Sequence, residues 1–165
     1  MTIRTKIRMA LLALFAAAGL AACATGSSGP RGSASEAQNL VDHAIDAYDQ
    51  NGTAAFAEMT APSTTFVDRD LYIFVIGPDY RVVAHGLDAD RVGDDAQVLV
   101  DANGKAYGNE IIAYATPNGV WVDYLFIDPL TGNEEPKSSW VVKHDGYIFG
   151  CGIYKNAAMP DAEGG

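Results

Sequence analysis

Basic residues are scarce in this chain: 11 lysines and arginines face 21 aspartates and glutamates over 165 residues. So negative a field repels nucleic-acid phosphates and anionic headgroups, which excludes a polyanionic partner. Cysteine is nearly absent, and Cys23 and Cys151 alone cannot build a disulfide framework. His43, His85 and His144 are scattered, with no cysteine or second histidine at ligand spacing, so no zinc site is read. Asp101-Ala-Asn103-Gly104 lacks the remaining positions of a calcium loop, including its closing Glu, and reads as a turn and helix start. There is no Gly-x-Ser-x-Gly elbow, and Gly150-Cys-Gly152 sits inside an apolar strand pattern rather than before a helix. Ser138 or Ser139 with His85 and a distant Asp is a set that most chains contain. The reading is therefore of no enzyme, no cofactor and no metal.

What is present divides the chain. Arg4, Lys6 and Arg8 precede an apolar run over residues 9–20, and Ala21-Ala22 leads into Cys23. A basic start, a short apolar stretch and small residues at the cut form the pattern of a signal peptide over residues 1–22. The run falls short of the roughly 20 apolar residues that a spanning helix needs. Leu20-Ala21-Ala22-Cys23 also resembles the bacterial lipobox. The resemblance implies cleavage before Cys23, a diacylglycerol on its thiol and a further acyl chain on the new amino group. Several chains anchor firmly, since each buried methylene contributes about 0.8 kcal/mol. Ala24 stands where an Asp would retain a lipoprotein at the inner membrane, so the expected place is the outer membrane, facing the periplasm. Cys151 is then the single remaining thiol, in an apolar run that reads as core. Loss of residues 1–22 removes three basic and no acidic residues, leaving eight against 21 and a formal charge of −13.

Residues 23–33 are rich in Gly, Ser and Pro and read as a flexible tether. Residues 34–155 fit one domain by size, and residues 156–165 read as a disordered tail. Ser33-Ala-Ser-Glu36 forms a capping box before Ala37, Leu40, Val41, Ala44, Ile45 and Tyr48, which recur at helical spacing. Asn51-Gly52 breaks that helix, and a shorter one is expected over 53–60. The period then changes. Strands are expected over Leu71–Ile76, 81–85, Val120–Ile127, 138–143 and Tyr147–Tyr154, with a short helix after Asn103-Gly104. The turns Gly77-Pro78-Asp79-Tyr80, Asp128-Pro-Leu-Thr-Gly132 and His144-Asp-Gly146 mark hairpins. The fold class is thus α+β: a long N-terminal helix and a five-stranded antiparallel sheet, with a helical crossing over one face. That crossing is too long for a mere connection and is a natural place for function.

These residues resemble a known family. Tyr72-Ile-Phe-Val75, Val83-Ala-His85-Gly86, Val92-Gly93, Asp101-Ala-Asn-Gly104-Lys105 and Gly119-Val-Trp121-Val-Asp123-Tyr124 follow the pattern of a single Cache domain. Pro129-Leu-Thr-Gly132, Pro136-Lys137-Ser-Ser-Trp140-Val141 and Gly150-Cys-Gly152-Ile-Tyr154 continue it, so the likeness covers residues 36–155 in order. Cache domains are PAS-like extracytoplasmic sensors of chemoreceptors and histidine kinases. The resemblance implies a small-molecule pocket between sheet and crossing, with His85, Trp121, Tyr124, Lys137 and Trp140 at or near it. Two positions depart from the pattern: Tyr80 stands where the hairpin usually has Gly, and Trp140 where Tyr is usual. No membrane span and no output domain is read after Tyr154. The expectation is a sensor that signals through a separate partner, such as a membrane histidine kinase or chemoreceptor.

Strand alternation puts Trp121 and Asp123 opposite Val122, Tyr124 and Phe126, and Lys137, Ser139 and Val141 opposite Ser138, Trp140 and Val142. Lys137 and Trp140 therefore cannot both point into one pocket unless Lys137 lies at the strand's mouth or a bulge intervenes. The expected pocket is small and aromatic, walled by Tyr72, Trp121, Tyr124 and Trp140. Lys137, His85 and the Tyr124 hydroxyl are its polar groups, a set that suits a short organic acid. His85 either bonds a ligand carboxylate or caps its strand. The other reading of the whole chain is a structural or adaptor lipoprotein with a non-functional pocket.

Overall fold

Ser33 starts the first helix as its capping box predicts. Its Oγ accepts the Glu36 amide at 3.3 Å, and a Glu36 carboxylate oxygen accepts the Ser33 amide at 2.8 Å. The structure is a computed structural model and describes residues 31–155; the signal peptide, Cys23, most of the tether and the tail lie outside them. Helix α1 (Ala34–Asn51) buries Ala37, Val41 and Ala44 along one stripe. Gly52, at φ 59, ends it, and a 3-10 turn over Gly52–Ala54 leads into α2 (Ala55–Met59), shorter than the sequence reading of 53–60.

The sheet is antiparallel throughout. Its strands are β1 (Val67–Asp68), β2 (Leu71–Ile76), β3 (Val82–His85), β4 (Val120–Ile127), β5 (Glu134–His144) and β6 (Tyr147–Tyr154). They lie in the order β1-β2-β6-β5-β4, with β3 also paired to β2. The sheet therefore has six strands rather than five; the addition, β1, is a two-residue return against Leu71 and Tyr72. Strand β5 begins four residues before the expected 138, because Pro136 takes a regular place opposite Leu125. A proline lowers the sequence signal for a strand without forbidding one near a strand end. Asp145 and Gly146, at φ 47 and 82, form the tight β5–β6 turn between the paired His144 and Tyr147. Tyr80 takes φ 63 where glycine would be free of strain.

Each face of the sheet has its own core. Ile73, Val75, Phe149, Cys151 and Ile153 pack under α1 and α2. Phe74, Ile76, Ile148, Val141 and Val122 pack under the crossing, which supplies Ala96 and, from α3 (Tyr107–Tyr114), Tyr107 and Ile111. Cys151 is a buried free thiol. Asp101 caps the start of this helical segment: one carboxylate oxygen accepts the amides of Asn103 and Lys105, the other that of Leu125.

One ionic cluster closes the edge of the domain. Asp70 and Asp128 are fully buried, and Arg31 lies between them at 3.4 and 2.5 Å. The Gly32 amide adds a 2.6 Å bond to Asp70. Asp128 Oδ1 accepts the Leu130 amide at 2.8 Å, while Oδ2 has no hydrogen-bond donor of good geometry and faces the guanidinium. Arg31 and Gly32, which the sequence places in the tether, are thus docked. Removing one partner of a buried pair leaves an uncompensated charge, so Arg31→Ala is expected to destabilise the domain by roughly 3 kcal/mol. Denaturant unfolding of the two proteins measures it.

Candidate functional site

The register of three strands assembles the site. Lys137 in β5 pairs with Tyr124 in β4 and with Tyr154 in β6, and the pairing runs unbroken on both sides. No bulge intervenes, so plain alternation turns Lys137 toward the crossing together with Tyr124 and Phe126. It turns Trp140 the other way. Trp121 and Trp140, directly paired with ring centroids 5.4 Å apart, pack into the core beneath α1 and line no part of the cavity. The expectation that these two indoles wall the pocket is corrected by that alternation.

Lys137 is 1 % exposed. Its stem crosses β6 at Gly152, where a Cβ would stand 2.1 Å from Lys137 Cε. The ammonium emerges beside Tyr72, whose partner across β2 and β6 is that same glycine when the Ile73–Cys151 register is extended by one residue. There Nζ donates to the Tyr72 hydroxyl at 2.6 Å. It lies 3.9 Å from the Tyr72 ring centroid and 5.0 Å from those of Phe126 and Tyr154. The Tyr72 hydroxyl lies 3.4 Å from that of Tyr154, which donates to the Ile127 carbonyl at 2.7 Å. Burial pushes the Lys137 ammonium down to about 7, against the opposing pull of Asp70 and Asp128.

His85 closes the β3 side. Its Nδ1 accepts the Asp88 amide at 3.1 Å, which leaves the ring proton on Nε2. Burial, with the charges of Lys137 and Arg91, pushes it down to about 3, so it is a neutral donor at physiological pH. Its ring lies 5.0 Å from that of Tyr72. The Tyr124 hydroxyl is engaged by Ser139 Oγ at 2.8 Å, and its ring stacks on Tyr107 at 4.4 Å. Tyr124 therefore lines the cavity with its hydroxyl already bonded to Ser139.

These groups line an inner cavity of about 40 Å³, together with Phe74, Ile111, Phe126 and Arg91. One water needs roughly 10–15 Å³ by the same measure, so the space suits a group of a few heavy atoms. Outside it lies a vestibule of about 430 Å³, which shares Tyr72, His85, Arg91, Tyr107 and Phe126 with the cavity. Of the residues singled out from sequence, Tyr72, His85, Tyr124 and Lys137 meet here. The sequence reading missed Arg91, Tyr107, Phe126, Tyr154 and Gly152. Phe126 and Tyr154 were within reach, since alternation puts Phe126 on the Tyr124 face. Gly150 and Gly152, two residues apart in one strand, signal a close approach from the same side.

Among the described residues no group of three or more His, Cys, Asp or Glu is placed to hold a metal ion. No helix among them is long and apolar enough to cross a membrane. No curated protein sequence matches the chain. Three solved structures share its fold. A methyl-accepting chemotaxis protein from Vibrio parahaemolyticus is 19 % identical, covers 73 % of this chain and 86 % of its own, and superposes with a TM-score of 0.62. A periplasmic sensor domain of a chemotaxis protein is 25 % identical over 72 % of this chain and 88 % of its own, at 0.54. A Cache chemosensory domain described for carboxylic acid recognition is 17 % identical over 72 % and 86 %, at 0.55. Residues 18–160 match the family described as single Cache domain 2. This chain therefore belongs to the single Cache domain family, whose members are extracytoplasmic ligand-binding sensors rather than catalysts.

Proposed function

We propose that this domain senses a small carboxylate, held by Lys137 in the inner cavity, and passes its state to a separate membrane protein. One observation carries the reading. Lys137 is a fully buried ammonium that, among the described residues, has aromatic rings and a hydroxyl around it but no carboxylate partner. Burial of an unpaired charge costs several kcal/mol, and an anionic ligand offsets that cost by completing the pair. The Nε2–H of His85 adds a donor on the same side, and the surrounding rings exclude water. The fold is shared with a domain described for carboxylic acid recognition, which fits this chemistry.

Lys137→Met tests the reading by separating binding from stability. Methionine keeps much of the stem and removes the charge. The empty variant is expected to be more stable than wild type by about 1–3 kcal/mol. Thermal stabilisation by short carboxylates should disappear in it. Stabilisation that survives the substitution would move the site elsewhere, and none in the wild type would favour the adaptor lipoprotein.

The dependence on pH has a defined sign. Only the protonated ammonium pairs with a carboxylate, and pairing raises its pKa above the value of about 7 in the empty site. Carboxylate affinity is therefore full below pH 7 and falls as pH rises through it, approaching about tenfold per pH unit. His85, at about 3, adds no step in that window. Titration calorimetry between pH 6 and 9 reads the slope, and a flat profile would contradict it.

The anchor belongs to the same proposal. The lipobox-like Leu20-Ala21-Ala22-Cys23 supports lipidation at Cys23, and Ala24 in place of an Asp supports an outer-membrane anchor. Cys23→Ser is expected to leave the protein unprocessed by the lipoprotein peptidase or to release it as soluble protein. Normal processing with unchanged membrane fractionation would contradict the anchor.

A further inference from the structure

We infer that Arg91 is a second anion-binding residue of this site and that the ligand it completes is a short dicarboxylate. The inference rests on the carboxylate reading of Lys137 and adds to it a second charge of known position.

Arg91 ends a 3-10 turn, Ala89–Arg91, in the crossing, and its backbone is fixed from both sides. Its amide bonds the Asp88 carbonyl at 3.3 Å, and its carbonyl accepts the Asp94 amide at 3.0 Å. From there the side chain reaches the cavity that Lys137 also lines. The guanidinium carbon lies 5.2 Å from the Phe126 ring centroid, and Lys137 Nζ lies 5.0 Å from the same centroid. The two cationic centres can thus be no farther apart than the sum of these distances. The span suits the two ends of a short diacid, each held by a charge-assisted contact of about 2.8 Å.

Arg91 is also incompletely satisfied. Its Nε forms a long ion pair with Asp94 at 3.6 Å, beyond hydrogen-bond range, and the Asp94 side chain is 40 % exposed. Its terminal nitrogens have no hydrogen-bond partner among the described residues. The vestibule carries carboxylates of its own, but among the described residues none of them forms an ion pair with Arg91. Asp88 accepts the Asp90 amide, Asp101 accepts three backbone amides, and Glu134 sits exposed at the rim. Two cations on one aromatic ring repel each other, and a ligand with one carboxylate on Lys137 leaves Arg91 with only its long, part-exposed contact to Asp94. A planar guanidinium with open donors is suited to take the second carboxylate in bidentate form.

Calorimetry on the full chain with acids matched in carbon number tests this: propionate against malonate, and butyrate against succinate. Wild type is expected to bind the better diacid at least about tenfold more tightly than its matched monoacid, the size of one charge-assisted bond. Arg91→Gln should abolish that advantage, so that each diacid binds no more tightly than its matched monoacid, whatever the change in affinity common to both, since two cations sharing Phe126 are coupled. Arg91→Lys, which keeps the charge but not the fork, should retain part of the advantage. A diacid preference that persists in Arg91→Gln, or no preference in wild type, overturns the assignment of Arg91 and leaves Lys137 as the carboxylate site. Absence of binding by all four acids to wild type would overturn the carboxylate reading itself, and this inference with it.

Discussion

An ammonium group held out of water, with no carboxylate partner among the described residues, governs this structure. Lys137 reaches its place because Gly152 has no side chain, so its stem can lie across the neighbouring strand and bring Nζ to Tyr72. Three aromatic rings and one hydroxyl then surround the charge. Each desolvated cation–π contact is worth up to about 2 kcal/mol, and a hydrogen bond from a charged donor about 1.5–3 kcal/mol. Against these gains stands the desolvation of the ammonium, which pushes its pKa down to about 7. On the carboxylate proposal, an anion would relieve that cost, and affinity would come from the pre-existing cost as much as from the new contact.

The two faces of the sheet keep this deficit away from the main core. Beneath α1 and α2 the packing is apolar and ordinary, with the Trp121–Trp140 pair completing it. Gly119 lies so close to Trp140 that a Cβ there would meet the indole, and its φ of 78 is one that glycine takes without strain. On the other face the crossing encloses the polar groups. From Lys137 a continuous run of contacts passes through the hydroxyls of Tyr72 and Tyr154 to the carbonyl of Ile127. The next residue, Asp128, holds Arg31 just before α1. Pocket and N-terminal segment therefore meet in one polar network, although the helix itself packs on the opposite face.

Much of this was legible from residue patterns. The capping box of Ser33 and Glu36, the glycine break at Gly52, the switch to period two and the Asp145-Gly146 turn are local signals, and each marks the element it predicts. The two-residue β1 carried too little pattern to be seen. The start of β5 was hidden by Pro136, whose cost depends on the neighbouring strand. Tyr72, His85, Tyr124 and Lys137, singled out from sequence, line one cavity, and alternation already showed that Lys137 and Trp140 face apart. Which of the two faces the cavity depends on what covers each side of the sheet. Arg91 comes from an irregular part of the crossing, where no period ties a side chain to a direction, and Tyr107 from α3, whose period gives a face but not the strand it meets, so their convergence on Phe126 was invisible in one dimension.

The sequence by itself determined the fold class, the order of elements, the sign of the charge and the chemistry available to a site. Those properties depend on composition and on spacing over a few residues, where backbone geometry is fixed. Only the tertiary structure decided that Trp121 and Trp140 are core, that the Tyr124 hydroxyl is spent on Ser139, and that Arg31 is clasped by two buried aspartates. It also decided that Lys137 meets rings rather than a carboxylate. Each of these turns on contacts between segments far apart in the chain, and whether a charge is paired or bare depends on which distant groups the fold brings within a few ångströms of it.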